Sequence, residues 1–323
     1  MSASLICPPL SCSDAPAFAD ALLPLLHQQS GRALLLLDPA LRPPLPGDPL
    51  AAALENGPWL PIGIREREVD PALIPLLIEL DLHDATGVAV LRASVAEAWA
   101  ENQPQRLARG EGRRICGWLS TPFTLAQVAR HLGALCVQTR PDGRRTLLRL
   151  FDPAVTAALD LILTAPQRML LLGPCSSWLY LDGERQLGGL QSDTPRQAVG
   201  GIGWSNAQWA DLDLLGAANL ALLALREAGL LDDASYAPAR QAALPALRRA
   251  AALGFGDAHD LSHFARHALT LHPAFDSHPV IRARLTQRAP DDYYTALIAD
   301  LTEADWQQIR AMPAAPTPHH SPT

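Results

Sequence analysis

The chain has 323 residues, of which 48% are hydrophobic and 18% charged, with a formal net charge of -7. That length exceeds one comfortable hydrophobic core and sets an expectation of two lobes, the composition argues against long disorder, and the acidic balance argues against a nucleic-acid partner held by a basic surface. All 26 basic residues are arginine, and the absence of lysine excludes a Walker A loop, a Schiff-base lysine, a kinase-type phosphate lysine and a Ser-Lys dyad.

The five cysteines, Cys7, Cys12, Cys116, Cys136 and Cys175, are odd in number and include no C-x-x-C pair. A zinc knuckle or thioredoxin-type motif is therefore not expected; buried free thiols in a reducing cytoplasm are. No basic segment precedes the first apolar run, so no secretory signal is expected. The most apolar helical stretch, Leu214 to Leu225, is well short of the roughly 20 residues that span a bilayer. The expectation is a cytoplasmic protein with no membrane partner.

In chain order, "ALLLLD" (Ala33–Asp38) is a buried-strand candidate, and "PWLPIGI" and "PLLIEL" are short extended pieces punctuated by proline. Ser94 with Glu97 three residues later has the pattern of a capping box that opens a helix. "RRICGWLST" is a strand. "FTLAQVARHLGAL" is a helix capped by Thr124 and Gln127. "RPDG" between two extended runs is a hairpin turn, with proline fixing φ and glycine accepting a positive one.

"DGRRTLLRLFDPAV" ends in Asp-Pro. Asp152 can accept the free N–H groups of the next turn, and Pro153 at the first helical position loses no hydrogen bond. That accounts for the pair as a helix start over 154–163 without a catalytic role. "SSWLYLDGE" reads as the last strand, and residues 185–204, rich in Gly, Gln, Ser and Thr, read as a linker. The glycines there lack the G-x-G-x-x-G order of a dinucleotide site.

The second half reads as helices: one from Ser205, capped with Gln208 and stapled by Trp204 and Trp209, to Gly229, then 238–253, one from Asp257, 278–288, and a last one within 291–310 broken near Thr302. Asp291 and Asp292 mark a helix start. The Pro-rich tail 312–323 is expected to be disordered. The expected fold class is α+β: a mixed α/β lobe with a β-hairpin over 1–184, a linker over 185–204 and an all-helical lobe over 205–311.

Candidate site residues are few. His259, His263 and His267 form one helical stripe, but it lies opposite the apolar face of Leu261, Phe264, Ala265, Ala268 and Leu269, so they are expected to face solvent and not to hold a metal. Ser176 and Ser177 have no G-x-S-x-G frame. Cys116 and Cys136, with His131 between them, lie in apolar runs and read as structural. No cofactor is expected. The tryptophans Trp59, Trp118, Trp178, Trp204 and Trp209 sit beside turns, as core or interface residues.

At "GWLSTPFTLAQVARHL", "DGRRTLLRLFDPAV", "LGPCSSWLYLDGE" and "HPAFDSHP" the chain resembles the type VI secretion effector adaptors, long catalogued as a domain of unknown function. The resemblance begins near "ALLLLDPAL" and "LENGPW" and is sharpest from Cys116 to Glu184. Where the family often has Tyr before the Asp-Pro and Arg after it, this chain has Phe151 and Ala154. The resemblance implies a non-catalytic protein that binds one cognate secreted effector and helps load it onto the valine-glycine-repeat spike, itself a second partner. Trp118, Trp178 and Tyr180, on the runs nearest the sharpest motifs, are the candidates for partner contact. A hydrolase with Asp or His residues in an inter-lobe cleft and a structural component of the secretion apparatus are the alternatives.

Overall fold

The structure, a computed structural model, describes residues 4–5, 12–28, 31–40, 47–64, 69–197 and 200–313. Cys7 and most of the tail expected to be disordered lie outside them. The chain divides into two compact units, 1–209 and 210–323.

The first unit runs β1 (Ser4–Leu5), α1 (Ala15–Gln28), β2 (Arg32–Leu37), α2 (Pro49–Asn56), β3 (Trp59–Pro61), β4 (Leu76–Leu80), α3 (Ala85–Glu101), α4 (Pro104–Ala108) and β5 (Ile115–Thr121). It continues through α5 (Leu125–Cys136), β6 (Val137–Thr139), β7 (Arg145–Leu147), α6 (Pro153–Leu159), α7 (Ala165–Leu172), β8 (Ser177–Leu181) and β9 (Leu187–Gln191). Seven strands form one antiparallel sheet in the order β1-β9-β8-β5-β2-β4-β3, and β6 and β7 form a separate hairpin. The protein is α+β: the described strands lie in the first unit, and helices make up the second.

Local chemistry explains where these elements start. Thr124 and Gln127 close a reciprocal capping box on α5, and Thr164 and Gln167 do the same on α7. Asp152 accepts from the Ala154 N–H, with Pro153 opening α6, so the Asp-Pro pair acts as the helix start inferred from sequence. Arg140 to Gly143 turn β6 into β7, and Gly143 takes φ +84°.

Both faces of the sheet are covered. Phe18 and Leu22 of α1, Leu50 of α2 and Val90, Leu91 and Val95 of α3 cluster with Leu35 and Leu37 of β2 and with Trp118. On the other face Leu132, Leu135 and Cys136 of α5 meet Leu171 of α7 and Trp178. Helix α5 comes close enough to the chain after β3 that a Cβ on Gly133 would sit 2.1 Å from the Gly63 carbonyl carbon. Only glycine permits that approach.

Two expectations are corrected here. Ser94 is not a helix start: Asp84 caps α3, and Ser94 sits buried inside it. There its hydroxyl donates to the Leu91 carbonyl and accepts from Trp118 Nε1 at 2.9 Å. The strand "SSWLYLDGE" is not the last, and 185–204 is not a free linker. Residues 187–191 pair with β8, and Leu187 and Leu190 are buried. Two glycines hid this strand from any apolar periodicity. Gly188 is needed because a Cβ there would lie 2.6 Å from the Tyr180 ring. Farther on, Gln167 donates to the carbonyls of Ile202 and Gly203, tying that stretch to α7.

The second unit is built from α8 (Asn206–Glu227), α9 (Asp233–Ala252), α10 (Ala258–Thr270), α11 (Pro279–Gln287), α12 (Tyr294–Leu297) and α13 (Glu303–Arg310). Ser205 and Gln208 cap α8 reciprocally, Trp204 lies 6.1 Å from Trp209, and Gly229 takes φ +68° just beyond the helix end. Asp257 caps α10 and Thr302 caps α13. No helix among the described residues is long and apolar enough to cross a membrane.

The start of α12 differs from expectation. The carboxylate that receives its first amides is neither Asp291 nor Asp292 but the buried Asp260 of α10, which accepts from the N–H groups of Tyr294 and Thr295 at 2.8 and 3.1 Å. Nor do the three histidines all face solvent. His259 is exposed and His263 half-buried, whereas His267 Nδ1 lies 2.6 Å from the Tyr294 hydroxyl, with its ring against Trp306. Tyr294 fills the space over α10 and draws the last histidine inward.

Burial, with His263 and Arg266 adding smaller effects, lowers the His267 pKa from 6.5 to about 4. Between those values the unfolded chain binds a proton that the folded chain does not. The contribution of His267 is therefore complete above pH 6.5 and is lost as pH falls toward 4. Urea midpoints of the protein should drop across that window, and the drop should be shallower in His267→Leu. An identical slope in the variant would count against this account.

Candidate partner-binding surface

The three residues singled out for partner contact do not reach the surface. Trp118 is 0%, Trp178 1% and Tyr180 7% exposed. Their strands, β5 and β8, are interior to the sheet. In its register Trp118 faces Leu179 and Leu119 faces Trp178, so the two indoles project to opposite sides. Trp118 lies under α1 and α3, 5.9 Å from the Phe18 ring. Trp178 lies over the α5 and α7 side. All three are core residues.

The residues with possible nucleophilic chemistry are also internal. Burial pushes the Cys136 thiol up to about 12 and raises the Cys116 and Cys175 thiols as well, so all three are protonated near neutrality. The Ser177 hydroxyl shares a hydrogen bond of 2.7 Å with Ser120, its partner across β5 and β8. His131 Nε2 lies 3.0 Å from the Leu171 carbonyl oxygen, and burial lowers its pKa. Among the described residues, no group of three or more His, Cys, Asp or Glu side chains is placed to hold a metal.

Sequence reasoning missed one polar cluster. Asp38 follows β2 and its side chain is only 3% exposed, yet Arg149 reaches it across 111 residues with an Nη2–Oδ2 distance of 2.9 Å. Asp38 also accepts from the Ala40 N–H. Burial raises its carboxyl pKa and the nearby Asp152 raises it further, while Ala40 and Arg149 oppose the shift. The Arg149 guanidinium lies 5.5 Å from the Phe151 ring centre. Two Asp-Pro pairs, Asp38-Pro39 and Asp152-Pro153, thus lie in one region. Each carboxylate has a structural duty there: Asp38, itself buried, in an ion pair with a half-exposed arginine, and Asp152 as a cap.

The surface feature of the same unit is the sheet edge. Trp59, Leu60 and Pro61 of β3 are all exposed, and Trp59 and Leu60 are 42% and 37% accessible. Trp59 pairs with Ile78 and Leu60 with Leu77, so their side chains point to opposite faces. The Trp59 indole N–H donates to the Leu54 carbonyl at 2.7 Å, which lays the ring along α2. A groove of about 380 Å³ lies at the end of the sheet where β3 begins, lined by Pro58, Glu79, Asp81, Arg32, His27 and His83 among others. The two prolines in "PWLPIGI" were the available signal for an edge, because proline inside a strand is confined to edge positions.

Residues 33–169 match the model of a protein family described as a domain of unknown function (DUF4123). The matched segment begins at β2, ends within α7 and contains the Asp38–Arg149–Asp152 cluster and the β3 edge. It covers less than half of the chain. No curated protein and no solved structure matches the chain.

The cluster yields a stability prediction. Asp152→Ala should cost about 1 kcal/mol through lost capping. Arg149→Ala should cost about 1–3 kcal/mol because it leaves a buried carboxylate without its cation. Adding Asp38→Asn to Arg149→Ala should recover part of that loss, as read by a double-mutant cycle from denaturant titrations. Strict additivity of the two substitutions would show that the ion pair carries no coupling.

Proposed function

We propose that the protein is a non-catalytic adaptor that binds one cognate type VI secretion effector and promotes its loading onto the valine-glycine-repeat spike. The observation that carries this reading is where the family model matches: residues 33–169. That segment includes the motifs "ALLLLDPAL", "GWLSTPFTLAQVARHL" and "DGRRTLLRLFDPAV", on which, with "LGPCSSWLYLDGE" and "HPAFDSHP" beyond it, the resemblance to the effector adaptors rests. The match and the motifs point to one family, and adaptor activity is what that family implies.

The local chemistry is compatible with this role. Polar residues of the first unit such as Thr124, Asp152, Asp38 and Ser177 are used for caps, a part-buried ion pair and strand-to-strand hydrogen bonds. An exposed apolar strand at the edge of a covered sheet is a surface on which another polypeptide can gain burial. The net charge of -7 favours a partner segment of basic character. The adaptor acts in the cytoplasm, before assembly, without nucleotide, metal or turnover.

Co-expression with each neighbouring gene product, followed by affinity purification, tests the reading. One neighbour should co-purify in stoichiometric amount, in an interface on the order of 1,200–2,000 Å² of total buried surface. Deleting the gene should block delivery of that effector and leave other cargo unaffected. If no neighbour co-purifies and delivery is unchanged, the adaptor reading is wrong.

A further inference from the structure

We propose that strand β3 is a docking edge, on which an extended, basic segment of the partner polypeptide adds as one more strand of the sheet. This rests on the adaptor reading for the partner's identity, but on the backbone of β3 for the mode of binding.

Among the described residues the hydrogen-bond pattern leaves that edge open in a defined way. The Glu79 N–H donates to the Pro58 carbonyl and the Ile62 N–H to the Pro75 carbonyl, both across the β3–β4 pairing. In an antiparallel ladder alternate residues bond inward, so residues 58, 60 and 62 face β4 while Trp59 and Pro61 direct their backbone groups outward. The outward edge therefore offers one donor, the Trp59 N–H, and two acceptors, the carbonyls of Trp59 and Pro61. That suffices for a short added strand. It does not support open-ended stacking, since Pro61 supplies no N–H and the Gly63 N–H already donates to the Ala129 carbonyl at 2.8 Å. An added strand would cover Trp59 on one face and Leu60 on the other, removing two exposed large apolar side chains from water.

Charge selects the occupant. Glu55 is exposed on α2 just before the strand, and Asp81 is exposed in the groove beyond Pro58. Arg32 is paired with Glu79 in the same groove. A strand with apolar residues on both faces and an arginine or lysine at the end entering the groove meets this surface; an acidic one does not. A second copy fits less well. Two-fold pairing about Trp59 would set Pro61 opposite Gly57 of the other copy, and the Gly57 N–H is already given to the Ala53 carbonyl at 2.9 Å. It would also bring two acidic rims together.

The test uses the full chain and the effector that co-purifies with it. Trp59→Pro removes the outward donor while leaving the inward ladder intact. Leu60→Arg repels a basic strand without touching the backbone. Trp59→Phe keeps the donor and an aromatic ring. Each variant is first checked by thermal melting, and either of the first two suffices if the other misfolds. Trp59→Pro and Leu60→Arg should each weaken binding by about tenfold or more, and Trp59→Phe should change it by less than about threefold. Exchange of the Trp59 amide should slow in the wild-type complex. If folded Trp59→Pro and Leu60→Arg bind the effector as the wild type does, the docking edge is overturned and the adaptor reading stands. If no neighbouring product binds the wild type, the adaptor reading fails instead. The edge is then judged with a short synthetic strand of alternating valine and arginine: slowed exchange at Trp59 sustains it, and unchanged exchange overturns it. Slowing that appears with protein concentration alone would assign the edge to a second copy and overturn the partner assignment.

Discussion

The first unit depends on a strand that water does not reach from either side. In β2, Ala33 to Leu37 are all buried, with β4 and β5 as neighbours. Burying each leucine contributes about 1.5–3 kcal/mol, but only if both faces of the sheet are roofed. That requirement calls for α1 and α3 on one side and α5 and α7 on the other. It also places the two largest inward side chains, Trp118 and Trp178, on opposite faces of adjacent strands. A sheet filled in this way has no interior face to offer a partner. Its available surfaces are its ends and its edges.

Much of this was legible in the sequence wherever a local rule operates. Thr124, Asp152, Ser205 and Asp257 sit at helix starts because a side-chain oxygen before a helix meets free N–H groups whatever lies around it. The hairpin at Arg140–Gly143 follows from Pro-Asp-Gly for the same reason. What failed was long-range. Ser94 has the capping-box spacing, yet α3 begins at Asp84 and Trp118 claims the serine hydroxyl from another strand. Strand β9 carries too few apolar residues to be seen, because Gly188 must make room for Tyr180. His267 was placed on the polar side of an isolated helix, and Tyr294, remote in sequence, turned that side into an interior.

The partner candidates failed for a related reason. Trp118, Trp178 and Tyr180 lie in the stretches that most resemble a known family. Motif density marks what a fold must keep, and a two-faced sheet must keep its core. Trp59 and Leu60 lie in a shorter and less distinctive stretch, "PWLPIGI", where the informative feature is proline spacing.

The two ends of β2 differ in a way that bears on where a partner can sit. Beyond Leu37 the chain turns at Asp38, whose carboxylate is held by Arg149, and just before the neighbouring strand β5 Arg114 is buried among Asp48, Glu97 and Glu101 at 3.6–3.9 Å. Charges at that depth are costly to expose singly and are retained in pairs. Docking there would require breaking ion pairs before any contact was gained. At the opposite end Gly31, Arg32 and Ala33 open onto the groove beside Pro58, and the edge strand β3, beyond β4, shows exposed apolar side chains and outward backbone groups. Binding at that end removes apolar surface from water and disrupts no buried pair. The sheet is therefore closed electrostatically at one end and available at the other, and the asymmetry follows from which residues β2 has at its two termini: a buried aspartate that needs a cation at one, and a glycine and a half-exposed arginine at the other.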